Sequence, residues 1–540
     1  MDDLAATAVP AREATAPSTP RYPGLAALPD GKVRSAAADA AVYTAGVYGA
    51  QLLLFVAGVV QKGLLGPTAT GYWALMATFY AFFNIAPLGA FDGAVRQIPF
   101  HRGRDDRRGA AALADTASSF TVLAVTVASL LVSSAAVAFG SSWPAEIRYG
   151  LILLAFGAPL RFLIDCHESV LQATKRFDVV SLGLISRAVI AVTLQTLFVL
   201  LWGYWGMFAG VTAMAVGQLL LWNRMGLTSW SRPAFRRRIE GRRLKELIAF
   251  GFPMMIHAQI WLLFLAIDNL IVARFLDVTQ LGYYALAVSV TTYIMLLPKG
   301  IAGALAPRMA ERFGRTGDVS SIRDYATDVQ QLLAYLLIPV LVAAAFFLMP
   351  VLIRHALPEF MPAIPVVRIT VAASFFISLT NMPIKVMLTS GRNWRLVSLM
   401  LACLAFNGLA NYLAVAVLDR GLEGAAFATA LSYFVLFVVV SSFALRGPLG
   451  TRGVTGHIAE LVVVFVYVSA ALWGIEWIVG PGGGGLGSDL LTGTAEFALF
   501  LVTLAPWAAL VERRYKGLSA ARAALTDAAR ALRRWRLRNG

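Results

Sequence analysis

Long apolar stretches constrain the fold of this chain more than any other feature. Runs of roughly twenty or more largely apolar residues recur from Ala41 to Leu510. A helix needs about 20 apolar residues to cross a bilayer, whereas a strand of a membrane β-barrel needs about ten alternating ones. Only 14% of the 540 residues are charged, against about 25% in soluble domains. The sequence therefore predicts an all-α, polytopic membrane protein.

The apolar runs divide into fourteen predicted membrane spans. We place them at 41–63, 69–99, 113–140, 148–172, 179–201, 204–224, 247–276, 280–308, 327–351, 363–389, 395–418, 421–445, 457–480 and 491–511. Residues 1–40 are rich in Ala, Pro and Thr and contain no apolar core of a signal peptide. They are predicted to be a disordered tail.

The distribution of positive charge predicts which side each connection faces. The two tails and the even-numbered connections carry 35 of the 46 Lys and Arg residues, and the odd-numbered connections carry five. Cytoplasmic loops carry the excess of Lys and Arg, so both termini are expected in the cytoplasm of a cell (inner) membrane. The same distribution explains the net charge of +16 without nucleic-acid binding.

Two segments of the sequence bear on lipids and on metals. Residues 512–540 repeat apolar side chains every three or four residues between many arginines, which predicts a basic amphipathic helix that binds anionic lipids. Cys166 and Cys403 both fall in predicted spans, so neither a disulfide framework nor a metal site is expected. No nucleotide-binding motif is present, and no cofactor is expected.

An internal repeat relates the two halves of the chain. Residues 64–104 align without a gap to residues 275–315, with ten of 41 positions identical, including Pro87 with Pro298 and Gly89 with Gly300. We therefore expect two parallel six-span lobes at 41–224 and 247–446, joined by a basic linker at 225–246 and followed by two further spans within 457–511. The shared prolines and glycines are predicted to kink spans two and eight.

Lysine 299 breaks the symmetry of this repeat, because its counterpart in the first copy is Leu88. A charge at the centre of a bilayer costs about 2.5–3.5 kcal/mol, so such residues usually face protein or a wet cavity. Three alternatives stay open for Lys299: it lines a cavity, it snorkels, or it pairs structurally with Asp92. Arg96, Arg368 and Lys385 lie near the ends of their spans, where a long basic side chain can snorkel.

A second group of charges is predicted in spans four and five. Arg161 and Asp165 are four residues apart and share a helix face, and a hairpin about the connection brings Asp165 level with Arg187. Glu168 lies one turn nearer the cytoplasm. The group is either an ion-pair clamp between two helices or a cationic site that faces substrate. Further polar candidates for a cavity are Gln51, His257 and Asp268.

Several segments resemble a known family. LLGPTATGYWALM, LQATKRFDVVSLGLISRAVI, WGMFAGVTA and LGYYALAVSV…LLPKGIAGALAPRMAER are similar to segments of polysaccharide-biosynthesis oligosaccharide flippases, which belong to the multidrug/oligosaccharidyl-lipid/polysaccharide exporter superfamily. The resemblance implies a MATE-like pair of six-helix lobes in a V shape, with spans 1, 2, 7 and 8 around a central cavity. It implies an isoprenoid-diphosphate-linked glycan as substrate, with Lys299 as the best match to a cationic cavity residue.

The chain departs from the family pattern in two ways, and two other functions stay open. Fourteen spans are typical of the peptidoglycan-precursor flippases, but span one carries no arginine in its interior, which argues against that substrate. A cation-coupled multidrug exporter would be expected to need an acidic residue in span one, which has none. A membrane glycan polymerase or ligase would need a large outside loop. We therefore expect a flippase that is not an enzyme, with pathway polymerases or glycosyltransferases as partners.

Overall fold

The computed structural model describes residues 36–104, 106–173, 176–225, 239–446, 450–480 and 482–515. Within these ranges the regular secondary structure is helical, and 13 helices are long and apolar enough to cross a membrane. The predicted all-α membrane fold is therefore confirmed. The count differs from fourteen because the first candidate, Gly46–Ile85, contains predicted span one and the first half of span two.

The N-terminal lobe consists of seven helices that form six membrane passes. The helices are α1 (Ala36–Phe82), α2 (Ala90–Gly103), α3 (Arg107–Phe139), α4 (Ala145–Ala173), α5 (Phe177–Ile190), α6 (Thr196–Trp202) and α7 (Tyr204–Arg224). A non-helical residue, Gly66 with φ of 71°, separates two passes within α1. A π-helical turn at Ala191–Gln195 joins α5 and α6 into one pass. Asp106 caps α3 by accepting a hydrogen bond from the Gly109 N–H at 2.7 Å.

The C-terminal lobe has nine helices. They are α8 (Gly241–Phe264), α9 (Ile267–Phe275), α10 (Val278–Thr316), α11 (Val319–Leu332), α12 (Ile338–Ala356), α13 (Ile364–Leu379), α14 (Asn381–Thr389), α15 (Asn393–Tyr412) and α16 (Gly421–Leu445). Asp277 and Asp318 cap α10 and α11 through side-chain oxygens that accept from backbone N–H groups. The predicted linker lies mostly outside the described residues.

Three appended helices pack on the C-terminal lobe. They are α17 (Gly450–Val479), α18 (Leu486–Thr503) and α19 (Ala505–Tyr515). On α17, the Glu460 carboxylate accepts hydrogen bonds from Gln331 and Tyr335. The α18 helix lies against α12, where Gly493 faces the carbonyl oxygen of Phe347. Most of the predicted amphipathic tail lies outside the described residues.

The repeated Pro-x-Gly segment takes two different conformations. In the first copy the helix unwinds, because Leu88 and Gly89 have φ values of 51° and 78°, and α2 begins at Ala90. In the second copy α10 stays helical through Pro298 and Gly300. The two copies therefore differ in backbone conformation: the first unwinds at the predicted position, and the kink in span eight stays a prediction. The physical reason is local to the first copy, where Gly89 lies against the backbone of Gly251 on α8 and leaves no room for a Cβ.

The two copies of the repeat meet across a local two-fold axis. Thr68 and Thr279, which the repeat relates, hydrogen-bond to each other through their hydroxyls at 2.9 Å. A Cβ on Gly71 would overlap the carbonyl oxygen of Val278, and one on the repeat-related Gly282 would overlap that of Pro67. The repeat alignment relates each of these two contacts to the other. By the predicted sidedness, this contact lies at the outer end of the interface between the lobes.

Candidate functional site

A cavity of about 340 Å³ lies between the N-terminal lobe and α8, and we call it the inner cavity. Its charged wall comes from α2, α4 and α5, and its opposite wall comes from one face of α8 at three- and four-residue spacing. The charged lining residues are Asp92, Arg161, Asp165, Glu168 and Arg187, and the α8 residues are Met255, Ala258, Gln259 and Leu262.

Ion pairs join the charges of α4 and α5 in this wall. Arg161 Nη2 lies 3.2 Å from Asp165 Oδ1 on the next turn of α4. Arg187 on α5 reaches both carboxylates of α4: its Nη1 is 3.8 Å from Asp165 Oδ1 and its Nη2 is 3.0 Å from Glu168 Oε2. The predicted Arg161–Asp165–Arg187 cluster is confirmed as a geometric arrangement. Its closest contact between α4 and α5 is the one with Glu168.

Asp92 belongs to this cavity and does not pair with Lys299. Its carboxylate forms no ion pair with any residue in the described part of the chain, and it shares the cavity wall with Arg161. The predicted pairing with Lys299 is wrong because the chain unwinds at Leu88 and Gly89, so Asp92 starts a new helix with a different register. Three carboxylates and two guanidinium groups therefore face the inner cavity.

Two side chains in the wall retain unused hydrogen-bonding groups. Gln259 is 7% exposed, and both its amide oxygen and its amide nitrogen are buried without a partner among the described residues. Arg187 Nη1 is also buried without a hydrogen-bond acceptor there. Buried polar groups are normally satisfied, so the inner cavity is suited to a polar ligand or to water.

Three basic residues lie on α8, α10 and α14 of the C-terminal lobe. Lys299 on α10 is exposed. Its positive charge has a repulsive electrostatic effect on Lys385 of α14, and Lys385 has the same effect on a protonated His257 of α8. Among the described residues, neither lysine forms an ion pair, and His257 Nε2 is buried without a hydrogen-bond partner. We call these three residues the basic group. It does not line the inner cavity, but His257 is adjacent in sequence to Ala258, which does.

The prediction that Lys385 snorkels missed its place in this group. Lys385 is only partly exposed and sits beside Lys299 and His257. The sequence offered one signal, a lysine inside the apolar run MPIKVML at 382–388. Its proximity to Lys299 depends on the packing of α14 against α10, which spacing along the chain does not reveal.

A second cavity of about 410 Å³, the outer cavity, continues the space between the lobes. Its wall includes Gln61, Lys62, Thr78 and Asn269 and shares Leu262 with the inner cavity. The two cavities therefore lie end to end along α8, with Leu262 between them. Toward the cytoplasmic end the lobes touch backbone to backbone at Gly89 and Gly251.

Two predicted candidates lie elsewhere. Asp268 is 1% exposed, and its carboxylate accepts hydrogen bonds from Tyr284 at 2.5 Å and Thr429 at 3.2 Å. Its acceptors are used within the C-terminal lobe, which is typical of a structural carboxylate. Gln51 is half-buried on α1 and lines neither the inner nor the outer cavity.

Comparisons with known proteins identify the family. A family model described as a polysaccharide biosynthesis protein matches residues 63–358, more than half of the chain. The chain belongs to the polysaccharide biosynthesis protein family. This agrees with the resemblance seen in the sequence. No curated protein matches the sequence of this family member.

Solved structures share the fold of this polysaccharide biosynthesis protein. The lipid II flippase MurJ in an inward closed conformation has a TM-score of 0.62 and 12% identity, covering 87% of this chain and 98% of that one. An inward-facing multidrug resistance MATE transporter of the MOP superfamily has a TM-score of 0.60 and 14% identity, covering 77% and 95%. A mutant of the Vibrio cholerae MATE transporter VcmN has a TM-score of 0.54 and 14% identity, covering 76% and 97%. The chain is therefore a multi-pass membrane protein with the fold of MATE transporters and MurJ.

Proposed function

We propose that the chain is a flippase that moves an isoprenoid-diphosphate-linked oligosaccharide across the cytoplasmic membrane by alternating access. The observation that carries this proposal is the polysaccharide-biosynthesis family match over residues 63–358, together with the polar cavities between the lobes. Lys299 and Lys385 add two positive charges within membrane-spanning helices, and neither forms an ion pair in the described part of the chain. Such an arrangement repels itself, and a diphosphate would offset both charges. Family membership in polysaccharide biosynthesis supports the choice of a glycan substrate.

The cavities between the lobes supply what the sugar part needs. Sugar and phosphate are costly to place in hydrocarbon, whereas the isoprenoid tail is not. The unused donors and acceptors of Gln259 and Arg187 can replace water around sugar hydroxyls. A rocking motion of the lobes would connect the inner and outer cavities past Leu262 while the tail stays in lipid.

The setting of the protein belongs to the same proposal. We place it in the cell membrane with both termini in the cytoplasm, because the arginine-rich connections follow the positive-inside rule. Its partners would be the enzymes that assemble and polymerise the glycan, and anionic lipids at the basic tail. Energy would come from an ion gradient, the membrane potential or consumption of the product.

The test is a flipping assay in proteoliposomes with undecaprenyl-diphosphate-linked oligosaccharides. Lys299→Ala and Lys385→Ala should each lower the flipping rate by roughly tenfold or more, because a charge-assisted hydrogen bond contributes about 1.5–3 kcal/mol. Arg308→Ala removes an exposed charge from the same helix as Lys299 and is the matched control, with a rate near wild type. Unchanged rates in both lysine variants would contradict the proposal.

One observation favours a second candidate, a cation-coupled multidrug exporter. The inner cavity has one more carboxylate than guanidinium, which suits a cationic ligand. The same proteoliposomes, loaded with a fluorescent organic cation, separate the two functions. The exporter would be supported if export of the cation depended on Asp92 and not on Lys299. In that case no lipid-linked glycan should be flipped.

A further inference from the structure

A third cavity lies apart from the space between the lobes, where the appended helices meet the C-terminal lobe. It has a volume of about 410 Å³ and is bounded by α12, α13, α17, α18 and the connection before α18. We call it the appended-helix pocket. By the predicted sidedness it opens at the outer face, because Arg354 and the connection before α18 belong to the outside connections. Its polar and aromatic lining includes Arg354, Arg368, Trp473, Glu476, Asp489 and Glu496.

Ion pairs and hydrogen bonds between neighbouring helices hold the pocket in shape. Arg368 of α13 forms an ion pair with Glu476 of α17. Asp489 of α18, whose side chain is 2% exposed, lies 3.0 Å from His355 Nε2 and 3.8 Å from an Arg354 guanidinium nitrogen. The backbone N–H of Gly484 also donates to Asp489 at 3.2 Å. These bonds tie α12 and α13 to the appended helices, so the wall of the pocket is preorganised.

Two groups in the wall have no partner among the described residues. Glu496 is 7% exposed and lines the pocket; its carboxylate forms no hydrogen bond and no close ion pair with a described residue, although the positive charges of Arg354 and Arg368 act on it. Arg368 Nε is buried and donates to no acceptor. The Glu496 carboxylate, as an acceptor, and the buried Arg368 Nε, as a separate donor, therefore remain available to a ligand. A buried donor without an acceptor is unfavourable, so a polar ligand that accepts from Arg368 Nε would be stabilised.

Aromatic side chains form part of the same wall. Trp473 packs edge-on against Phe346 with ring centroids 5.1 Å apart and remains 43% exposed. Trp477, one turn further along α17, is 85% exposed. A tryptophan is flat and apolar with one polar edge, so it can cover the C–H face of a pyranose while carboxylate and guanidinium groups bind the hydroxyls.

We propose that the appended-helix pocket binds a sugar ring of the translocated glycan at the outer face. The inference rests on the proposed function for the identity of the glycan, but not for the presence of the pocket. The wall has three carboxylates against two guanidinium groups, so it favours a neutral or amino-substituted sugar over a phosphate or an acidic sugar. Holding the glycan there would oppose its return through the central cavities.

The test is a binding titration of the full chain in lipid nanodiscs, with saturation-transfer NMR as the readout. The probes are chitotriose, maltotriose and inorganic phosphate. We expect at least one saccharide to bind, and Glu496→Gln and Trp473→Ala each to weaken its affinity by roughly fivefold or more. Trp394→Ala, which removes an exposed tryptophan on α15 of the C-terminal lobe, is the matched control. Glu496→Gln keeps the shape of the side chain, so it remains informative if Trp473→Ala does not fold.

Each outcome bears on the proposal. Saccharide affinity that is unchanged in both pocket variants, or binding of phosphate alone, would overturn it. Saccharide binding that is lost in the pocket variants and intact in Trp394→Ala would support it. Because this titration needs no transport, a failure of the pocket and a failure of the flippase proposal are distinguishable: the second shows only in the flipping assay.

Discussion

At the scale of single residues, burial separates the two arginines of the inner cavity. The Arg187 side chain is 12% exposed and reaches two carboxylates on α4, whereas Arg161 is 33% exposed and reaches one. A buried ion pair is costly to break because it leaves an unpaired charge, while a half-exposed pair contributes little. Arg187 therefore fits a clamp between two helices, and Arg161 fits a contact with ligand.

This difference gives a paired prediction. Arg187→Ala should destabilise the protein by about 3–5 kcal/mol, because Glu168 would remain buried without a partner. Arg161→Ala should change stability by less than about 1 kcal/mol and lower the flipping rate instead. Thermal unfolding in nanodiscs and the flipping assay together measure both effects. Equal loss of stability in the two variants would contradict the assignment.

Some contacts between these residues could be predicted from the sequence, and others could not. The Arg161–Asp165 pair follows from helical spacing, and Arg187 follows from the register of one hairpin, so both are local and were predictable. The predicted Asp92–Lys299 pair does not form, because the prediction assumed an unbroken helix through Leu88. Lys385 was missed because its proximity to Lys299 arises from packing between distant helices.

At the scale of helices, close backbone contacts set the distance between the lobes. Gly71 of α1 faces the carbonyl oxygen of Val278, and Gly282 of α10 faces that of Pro67. Only glycine permits such an approach, because any Cβ would overlap these oxygens. The sequence showed the Gly-Tyr pair in both copies, but it could not show that the two glycines face each other's helix.

A methyl group at this contact should therefore open the outer end. Gly282→Ala should shift the protein toward an outward-open state, because the added Cβ cannot coexist with the Pro67 carbonyl oxygen. Distances between spin labels on the two lobes measure the shift. Gly303→Ala is the control on the same helix, since a Cβ there meets nothing within 4 Å. If both variants gave the wild-type distance distribution, the contact would not control the outer end.

At the scale of the whole molecule, two lobes related by a pseudo-two-fold axis enclose cavities that meet at Leu262. The all-α membrane fold could be predicted because long apolar runs are a property of the chain itself. The unwinding at Leu88 and Gly89 and the position of the basic group could not, because they depend on contacts between the lobes or between distant helices.

Alternating access makes a prediction at this scale. Thr68→Cys combined with Thr279→Cys places two thiols where the hydroxyls now lie 2.9 Å apart. A disulfide there should hold the outer end closed and stop flipping, and a reductant should restore it. The native Cys166 and Cys403 are both buried, so they should not interfere. Continued flipping by the fully oxidised variant would show that the outer end need not open.

The Thr68–Thr279 contact also has a consequence for the origin of the protein. In a symmetric homodimer, only a residue on the two-fold axis can meet its own copy. Here a residue and its duplicate hydrogen-bond to each other within one polypeptide. The contact is of the kind that two identical six-helix subunits make across a two-fold axis, and a repeat such as 64–104 with 275–315 is what fusion of two copies of one gene would leave.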